Sequence, residues 1–540
     1  MSYTSFAFFV FVTITAAVYF LFPAKKYQWT VLLIASYIFY LMAGYKYAAF
    51  IILTTVSTYC SALWINRIIE QAAKERAAHK ADWGREEKKA FKLRTEKAKR
   101  RIVILDVVFN LGILAFLKYY NFFAGSFNSL LALGGASFSL PTLKLFLPLG
   151  ISFYMFQSIG YVLDVSHEKV KAERNLAKVA LFVSFFPQII QGPISFYDQL
   201  AAQLYAPHRF RFTRLKHGGK LIIWGLFKKL VIADRAYIAI KTVLAGYGDY
   251  SGTTLTFTIL LYALQLYTDF SGGIDISRGV AQILGIDMAQ NFRRPYFATT
   301  INDYWRRWHI TLGAWMKTYV FYPLALSKSF TSLSKRIKAS RFGASKAGAH
   351  VAKVLPGSLA SLIVFFLVGL WHGANWKYVA FGLWNGGVIM LSMLLEPVFA
   401  KLAGALRINV KSWAFLLFQM MRTFLLVFIG YVFDVAADLT ASMYTFRMLL
   451  FGQDLSRGLS EIGTLGLSPA DYLVLAVGTA VLFTVSVIQE RHPSESLRVM
   501  LDRRNIFVRH ALLLACIMCI LIFGIYGHGY DPADFVYMQF

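Results

Sequence analysis

Apolar and polar positions in this chain segregate by whole segments, with little alternation from one residue to the next. Apolar runs occupy 5–22, 29–43, 46–65, 102–123, 146–165, 181–194, 221–240, 254–275, 355–371, 379–395, 413–433, 472–488 and 506–526. At a helical rise of about 1.5 Å per residue, most are long enough to span a hydrocarbon core of about 30 Å. The pattern predicts an all-α, polytopic integral membrane protein with about eleven transmembrane helices, plus re-entrant or interfacial pieces. The whole chain, 1–540, reads as a single membrane domain.

Three segments break the pattern. Run 181–194 is interrupted by FPQIIQGP, where Pro187, Gly192 and Pro193 oppose helix geometry. Broken helices at membrane depth are tolerated where they line protein or a water-filled cavity. Run 221–240 carries Lys228, Lys229, Asp234 and Arg235, so it faces a polar interior or lies partly in the interface. Segment 67–101 is a charged helical insertion with thirteen Lys or Arg against six Asp or Glu, and it predicts a solvated helical hairpin.

Composition agrees with a membrane protein: 57% of the residues are hydrophobic, and mean hydropathy is +0.53. The formal charge of +28 invites a nucleic-acid reading. Its location argues against one, because the basic residues sit mainly in loops between apolar runs and no nucleic-acid-binding signature is present. The basic loops at 25–26, 67–101, 166–174, 276–353, 401–411 and 491–505 all fall on the cytoplasmic side if the N-terminus is outside. The acid-matched loop 435–466 and the C-terminal tail 527–540 then fall outside. Run 5–22 lacks a basic leader and a small-residue cleavage site, so it reads as a retained helix. The bilayer is thus a partner, and nucleic acid is not.

Candidate chemistry concentrates in the cytoplasm-facing region 276–353. Stretch 291–323 holds three tryptophans, six cationic side chains including His309, and one acid, Asp303. If WRRWH is helical, Trp305, Trp308, His309 and Leu312 share one face. Arg293, Arg294, Arg306, Arg307 and Lys317 would form a cationic rim for an anionic donor. Asp303 is placed to orient a neighbouring cation or ring nitrogen. The competing reading is an interfacial anchor, since Trp and Arg favour headgroup depth. A second histidine, His372, closes the uncharged run SLIVFFLVGLW, after Trp371 and before Gly373 and Asn375. A neutral imidazole, with a pKa of about 6.5, can take a hydroxyl proton, and intramembrane ionisable groups mark substrate paths. Gln191 and Asn375 are candidate polar wall groups. No HExxH or acidic cluster supports a metal site, the Cys516–Cys519 pair lies within an apolar run, and there is no P-loop or GxGxxG and no GxSxG elbow.

Five segments carry a specific resemblance: PLGISFYMFQSIGYVLDV (148–165), SFFPQIIQGPI (184–194), LQLYTDFSGGIDISRGVAQILGI (264–286), NFRRPYFATTINDYWRRWHITLGAW (291–315) and LVGLWHGANWKYVAFGLWNG (367–386). In order and over nearly the whole chain they resemble the membrane-bound O-acyltransferase family, in the branch of bacterial alginate O-acetylation and teichoic-acid D-alanylation. The resemblance implies a bowl of helices with a thin centre, pierced by a tunnel from a cytoplasmic donor to an extracytoplasmic acceptor. It implies His372 as principal catalytic histidine and His309 as the second, with Asp269 in the neighbouring motif.

It further implies an acetyl-CoA or acyl-carrier thioester as donor and no permanently bound cofactor. The acceptor is then a polysaccharide hydroxyl, reached directly or through an SGNH-type acyltransferase, in the bacterial plasma membrane. D-alanyl transfer is the alternative chemistry, and transport of a lipid-linked or anionic solute is the alternative class. The terminal FVYMQF resembles an aromatic motif of the branch, which makes Tyr537 either an acyl relay or a membrane anchor. The sequence departs from the branch at Thr268, at Arg293 and Arg294, and at YPLALSKS (322–329).

Overall fold

The computed structural model describes residues 2–135 and 138–527, and within these every regular element is helical. Six of the helices are long and apolar enough to cross a membrane: Tyr45–Ala78, Arg85–Leu133, Lys346–His372, Trp413–Val435, Pro469–Arg491 and Ile506–Phe523. A seventh is added if the bent pair Trp376–Leu394 and Glu396–Ala405 counts as one span. The other apolar runs form shorter helices, such as Phe6–Leu21 and Ile151–Ser166 with 16 residues each, or interrupted ones. Large apolar side chains on the long helices, including Leu105, Val108, Leu425 and Phe483, are exposed. That pattern fits a lipid-facing surface.

The chain divides into two compact units. The first takes in the described residues up to Gly219 together with Ser277–Ala289, and the second comprises Lys220–Ile276 and the described residues from Gln290 onward.

In the first unit the charged insertion is a helical hairpin. Helix Ala48–Ala78 turns through 79–84 into Arg85–Leu133, whose 49 residues correspond to about 74 Å. Glu87 closes the turn by accepting the Gly84 backbone N–H at 2.7 Å. Glu86 and Glu87 in the first turn complement the helix dipole. Run 181–194 is broken as expected, into Leu176–Ser184 and the single turn Phe186–Ile189. The break exposes backbone groups that lipid cannot satisfy, and side chains take them up. Ser36 Oγ accepts the Phe186 N–H at 3.1 Å, the Tyr3 hydroxyl donates to the Pro187 carbonyl at 2.7 Å, and Ser277 donates to the same carbonyl. Gly192 is required there, because a Cβ would lie 2.1 Å from Gln188 Cα. Gln191 is fully buried in this break.

In the second unit, the four charges of run 221–240 face inward and are paired. The run bulges into a π-helical turn over Phe227–Ala233. Lys228 donates to Asp275 at 2.7 Å and to Ser271 at 2.8 Å. Lys229 sits between Asp269, at 2.5 Å, and Asp234, at 2.8 Å. Arg235 reaches Asp471 at 3.0 Å and the Phe523 carbonyl at 2.8 Å. Of the two readings open for this run, the structure selects the polar interior.

Candidate active site

The segment around His309 is built by two backbone hydrogen bonds. The Arg293 N–H donates to the Arg307 carbonyl at 2.9 Å, and the Ile310 N–H to the Asn291 carbonyl at 2.9 Å. Thr300 caps the short helix Ile301–Arg307 by accepting the Asp303 N–H. That helix stops before the histidine: Trp308 is extended, and His309 adopts the left-handed conformation, with φ 43° and ψ 53°. A new helix, Ile310–Met316, then begins.

WRRWH is therefore not one helix, and Trp305, Trp308, His309 and Leu312 do not share a helical face. The cause is tertiary. The buried Asn291 side chain accepts the Thr311 N–H at 3.0 Å and the Thr311 hydroxyl at 2.9 Å, and its Oδ1 lies 3.2 Å from His309 Nδ1. A remote amide thus caps the second helix and holds His309 in a conformation that costs a non-glycine residue about 1–2 kcal/mol.

His372 is the last residue of helix Lys346–His372. Asn375 starts the next helix, Trp376–Leu394, by accepting the Lys377 N–H. The two helices pack back to back through glycines: a Cβ on Gly369 would meet the Tyr378 carbonyl at 2.3 Å, and one on Gly382 the Phe365 carbonyl at 2.4 Å. This close hairpin fixes the depth and direction of the histidine.

The two imidazoles meet on Trp371, whose ring centroid lies 5.8 Å from that of His309 and 5.3 Å from that of His372. Phe270 closes on His309 at 4.9 Å, and Phe381 on His372 at 5.0 Å. Both histidines are buried. His372 opens on a small cavity walled by Tyr304, Trp305, Trp308, Tyr431 and Asp434. Trp305 Nε1 donates to Asn385 at 3.3 Å. The Tyr431 hydroxyl is within hydrogen-bond distance of those of Tyr304, at 2.7 Å, and Tyr296, at 3.0 Å. Asp434 Oδ1 lies 3.8 Å from His372 Nδ1, and its other oxygen accepts the Tyr262 hydroxyl at 2.8 Å. Lys377 seals the end of helix Trp413–Val435 by donating to the carbonyls of Asp434 and Ala436.

The arginines divide into two sets. Arg307 is paired with Asp303 at 3.0 Å and Glu490 at 2.9 Å, and the buried Arg294 also binds Glu490. Burial opposes the charge on Arg307, but hydrogen bonds to Asp303 and Glu490 outweigh it and raise its pKa above the ordinary value. Arg293, Arg306 and Lys317 remain exposed. Asp303 is thus the partner of Arg307, and Asp269 the partner of Lys229. Gln191 belongs to the first unit. Tyr537 lies outside the described residues.

Asn291, Asp434, Tyr431, Tyr262 and Lys377 escaped the sequence reading. Only Asp434 carried a usable signal, as a lone acid at the end of the apolar run FLLVFIGYVFDV.

A set of apolar spans around a buried histidine pair and a small cavity describes an integral membrane enzyme. Comparison with known proteins makes this specific. The profile of the membrane-bound O-acyltransferase family matches residues 169–339. A probable alginate O-acetylase AlgI of Pseudomonas syringae pv. tomato is 31% identical over 490 residues, covering 90% of this chain and 82% of that protein. A peptidoglycan O-acetyltransferase of Helicobacter pylori is 32% identical over 53% of this chain and 54% of its own length. A teichoic acid D-alanyltransferase of Bacillus subtilis is 27% identical over 44% of this chain and 56% of its own length. The chain belongs to the membrane-bound O-acyltransferase family and is a membrane acyltransferase.

Proposed function

We propose that this enzyme takes a short acyl group, acetyl, from a cytoplasmic thioester and delivers it to a hydroxyl of an extracytoplasmic polysaccharide or of a partner acyltransferase that serves one. The observation that carries the proposal is the meeting of His309 and His372 on Trp371, with His372 facing a small cavity. His372 is the general base. Its imidazole takes the acceptor hydroxyl proton, the acceptor oxygen attacks the thioester carbonyl, and the C–S bond breaks. The proton then passes from His372 to the departing thiolate. His309 positions the donor thioester. The exposed Arg293, Arg306 and Lys317 supply positive charge suited to the phosphates of coenzyme A or to an acidic carrier protein.

Acetyl is favoured over D-alanyl because the similarity to alginate O-acetylase extends over most of both chains, whereas the match to the D-alanyltransferase covers less than half of this one. The extracytoplasmic acceptor follows from the substrates in those proteins' names. The charge pattern supports a bacterial plasma-membrane protein of about eleven crossings with both termini outside, the shorter and interrupted helices included.

His372→Ala, expressed in cells lacking the wild-type chain, should abolish ester-linked acetate on the cell-surface polysaccharide while the variant accumulates in the membrane normally. Full acylation by that variant would remove His372 from the reaction. Release of D-alanine in place of acetate on mild alkaline hydrolysis of the wild-type product would replace the donor assignment.

A further inference from the structure

The two histidines differ in what holds them. Asn291 fixes His309 through an amide oxygen. That oxygen also accepts the Thr311 backbone N–H, a group that can only donate, so the amide's orientation is defined. His309 Nδ1 therefore carries the hydrogen, and Nε2 carries the lone pair. A neutral amide gives no charge compensation to a protonated ring. His372 instead has a carboxylate beside its Nδ1: Asp434 Oδ1 at 3.8 Å, with Asp434 itself 4% exposed and oriented by the Tyr262 hydroxyl.

Resting on the assignment of His372 as general base, we propose that Asp434 is a positioning residue of the transfer reaction. It draws the His372 Nδ1–H toward Oδ1, leaves Nε2 facing the acceptor hydroxyl, and stabilises the imidazolium formed when Nε2 takes that proton. The carboxylate takes no part in the proton's path, and the proton leaves on the thiolate. Closing the pair needs a movement of about 1 Å, within the tightening common when an enzyme binds its substrates. Charge-assisted hydrogen bonds are roughly twice as strong as neutral ones. The Asp434–Asn291 contrast therefore makes His372 the member of the pair whose protonated form has a carboxylate beside it. The other polar groups around His372 and Asp434 include Tyr378, at 6.0 Å from the His372 ring, Lys377 on the Asp434 carbonyl, Tyr262, His309, and the cavity-wall Tyr304 and Tyr431. The Asp434 carboxylate, at 3.8 Å from His372 Nδ1, favours the imidazolium.

The test uses the full chain in proteoliposomes with acetyl-CoA and an oligosaccharide acceptor. Asp434→Asn keeps the shape and the Tyr262 contact but removes the charge. It should lower kcat by about 10²–10⁴-fold while changing the KM for the acyl donor less than about 2-fold. It should also move the acid limb of the kcat–pH profile to lower pH, since His372 then loses its proton more easily. Asp434→Glu, which retains the charge, should recover part of kcat and the wild-type limb. A kcat within about 3-fold of wild type with an unmoved limb would overturn the proposal. If Asp434→Asn does not fold, Asp434→Glu decides alone: a displaced limb in that variant also overturns it. Loss of activity in His372→Ala together with wild-type kinetics in Asp434→Asn would sink this inference and leave the proposed function standing. An active His372→Ala would remove both.

Discussion

At the scale of single residues, Asn291 decides the geometry of His309. One side-chain oxygen serves as helix cap, as partner of His309 and as the reason the chain turns left-handed there. Removing it takes away the acceptor that Asn291 offers the Thr311 N–H and lets the 308–310 turn relax. Asn291→Ala should cost about 1–3 kcal/mol of stability, read as a lowered thermal midpoint in detergent. It should also reduce acyl transfer at least about 10-fold at saturating acceptor. A variant with normal activity would mean that His309 needs no such support. The motif was legible in the sequence as NF…WRRWH. The break at the histidine was not, because WRRWHITLGAW has ordinary helix-forming composition and the residue that interrupts it lies eighteen positions upstream of His309.

At the scale of elements, loops are tied to spans by carboxylates. Glu461, in helix Leu455–Ile462, accepts from Ser251 and Thr254 at the start of helix Gly252–Ile283 and from Arg457 of its own turn. Partial burial pushes its pKa up, but these hydrogen bonds outweigh burial and lower it to about 2 from an ordinary 4.5. A carboxylate with a depressed folded-state pKa stabilises the fold fully above its unfolded pKa, and that contribution fades as pH falls through the folded value. The stabilisation should therefore be present at neutral pH and decline between about pH 4.5 and pH 2. Glu461→Gln should melt below wild type at pH 7, and the gap should narrow on acidification to about pH 3. A gap independent of pH would show that the ion pair and hydrogen bonds are not what Glu461 contributes.

The elements themselves were largely readable from hydropathy. Helix Trp29–Ala43 has the bounds of its apolar run, and the charged insertion is the hairpin its composition suggests. The inward pairing of Lys228, Lys229 and Arg235 was only one of two readings, because their acids Asp275, Asp269 and Asp471 are distant in sequence.

For the molecule as a whole, charge asymmetry is the basis of the proposed orientation. With the basic loops inside, the turn 79–84 between Ala48–Ala78 and Arg85–Leu133 faces the cytoplasm. A cysteine introduced as Asp82→Cys should resist a membrane-impermeant maleimide in intact cells and react after lysis, against a background without the three native cysteines. Labelling in intact cells would invert the orientation and exchange the donor and acceptor sides. The six or seven long apolar helices are fewer than the apolar runs, since hydropathy marks what lipid or a core accepts without fixing helix length. Breaks such as the one at Pro187 exist because Ser36, Tyr3 and Ser277 satisfy the backbone groups they free.

The sequence by itself determined that this is an all-helical membrane protein, which family it resembles and which two histidines are the candidates for its chemistry. Each of those signals is local: an apolar run, a charge cluster, a motif of consecutive residues. Tertiary structure decided how the histidines are held, since an amide from residue 291 and a carboxylate from residue 434 reach them across the fold. It also decided which arginines are spent on Glu490 and Asp303 and which stay exposed. The physical reason is that the state of a buried imidazole depends on the charge and hydrogen-bonding capacity of groups within a few ångströms. Chain order does not encode those neighbours.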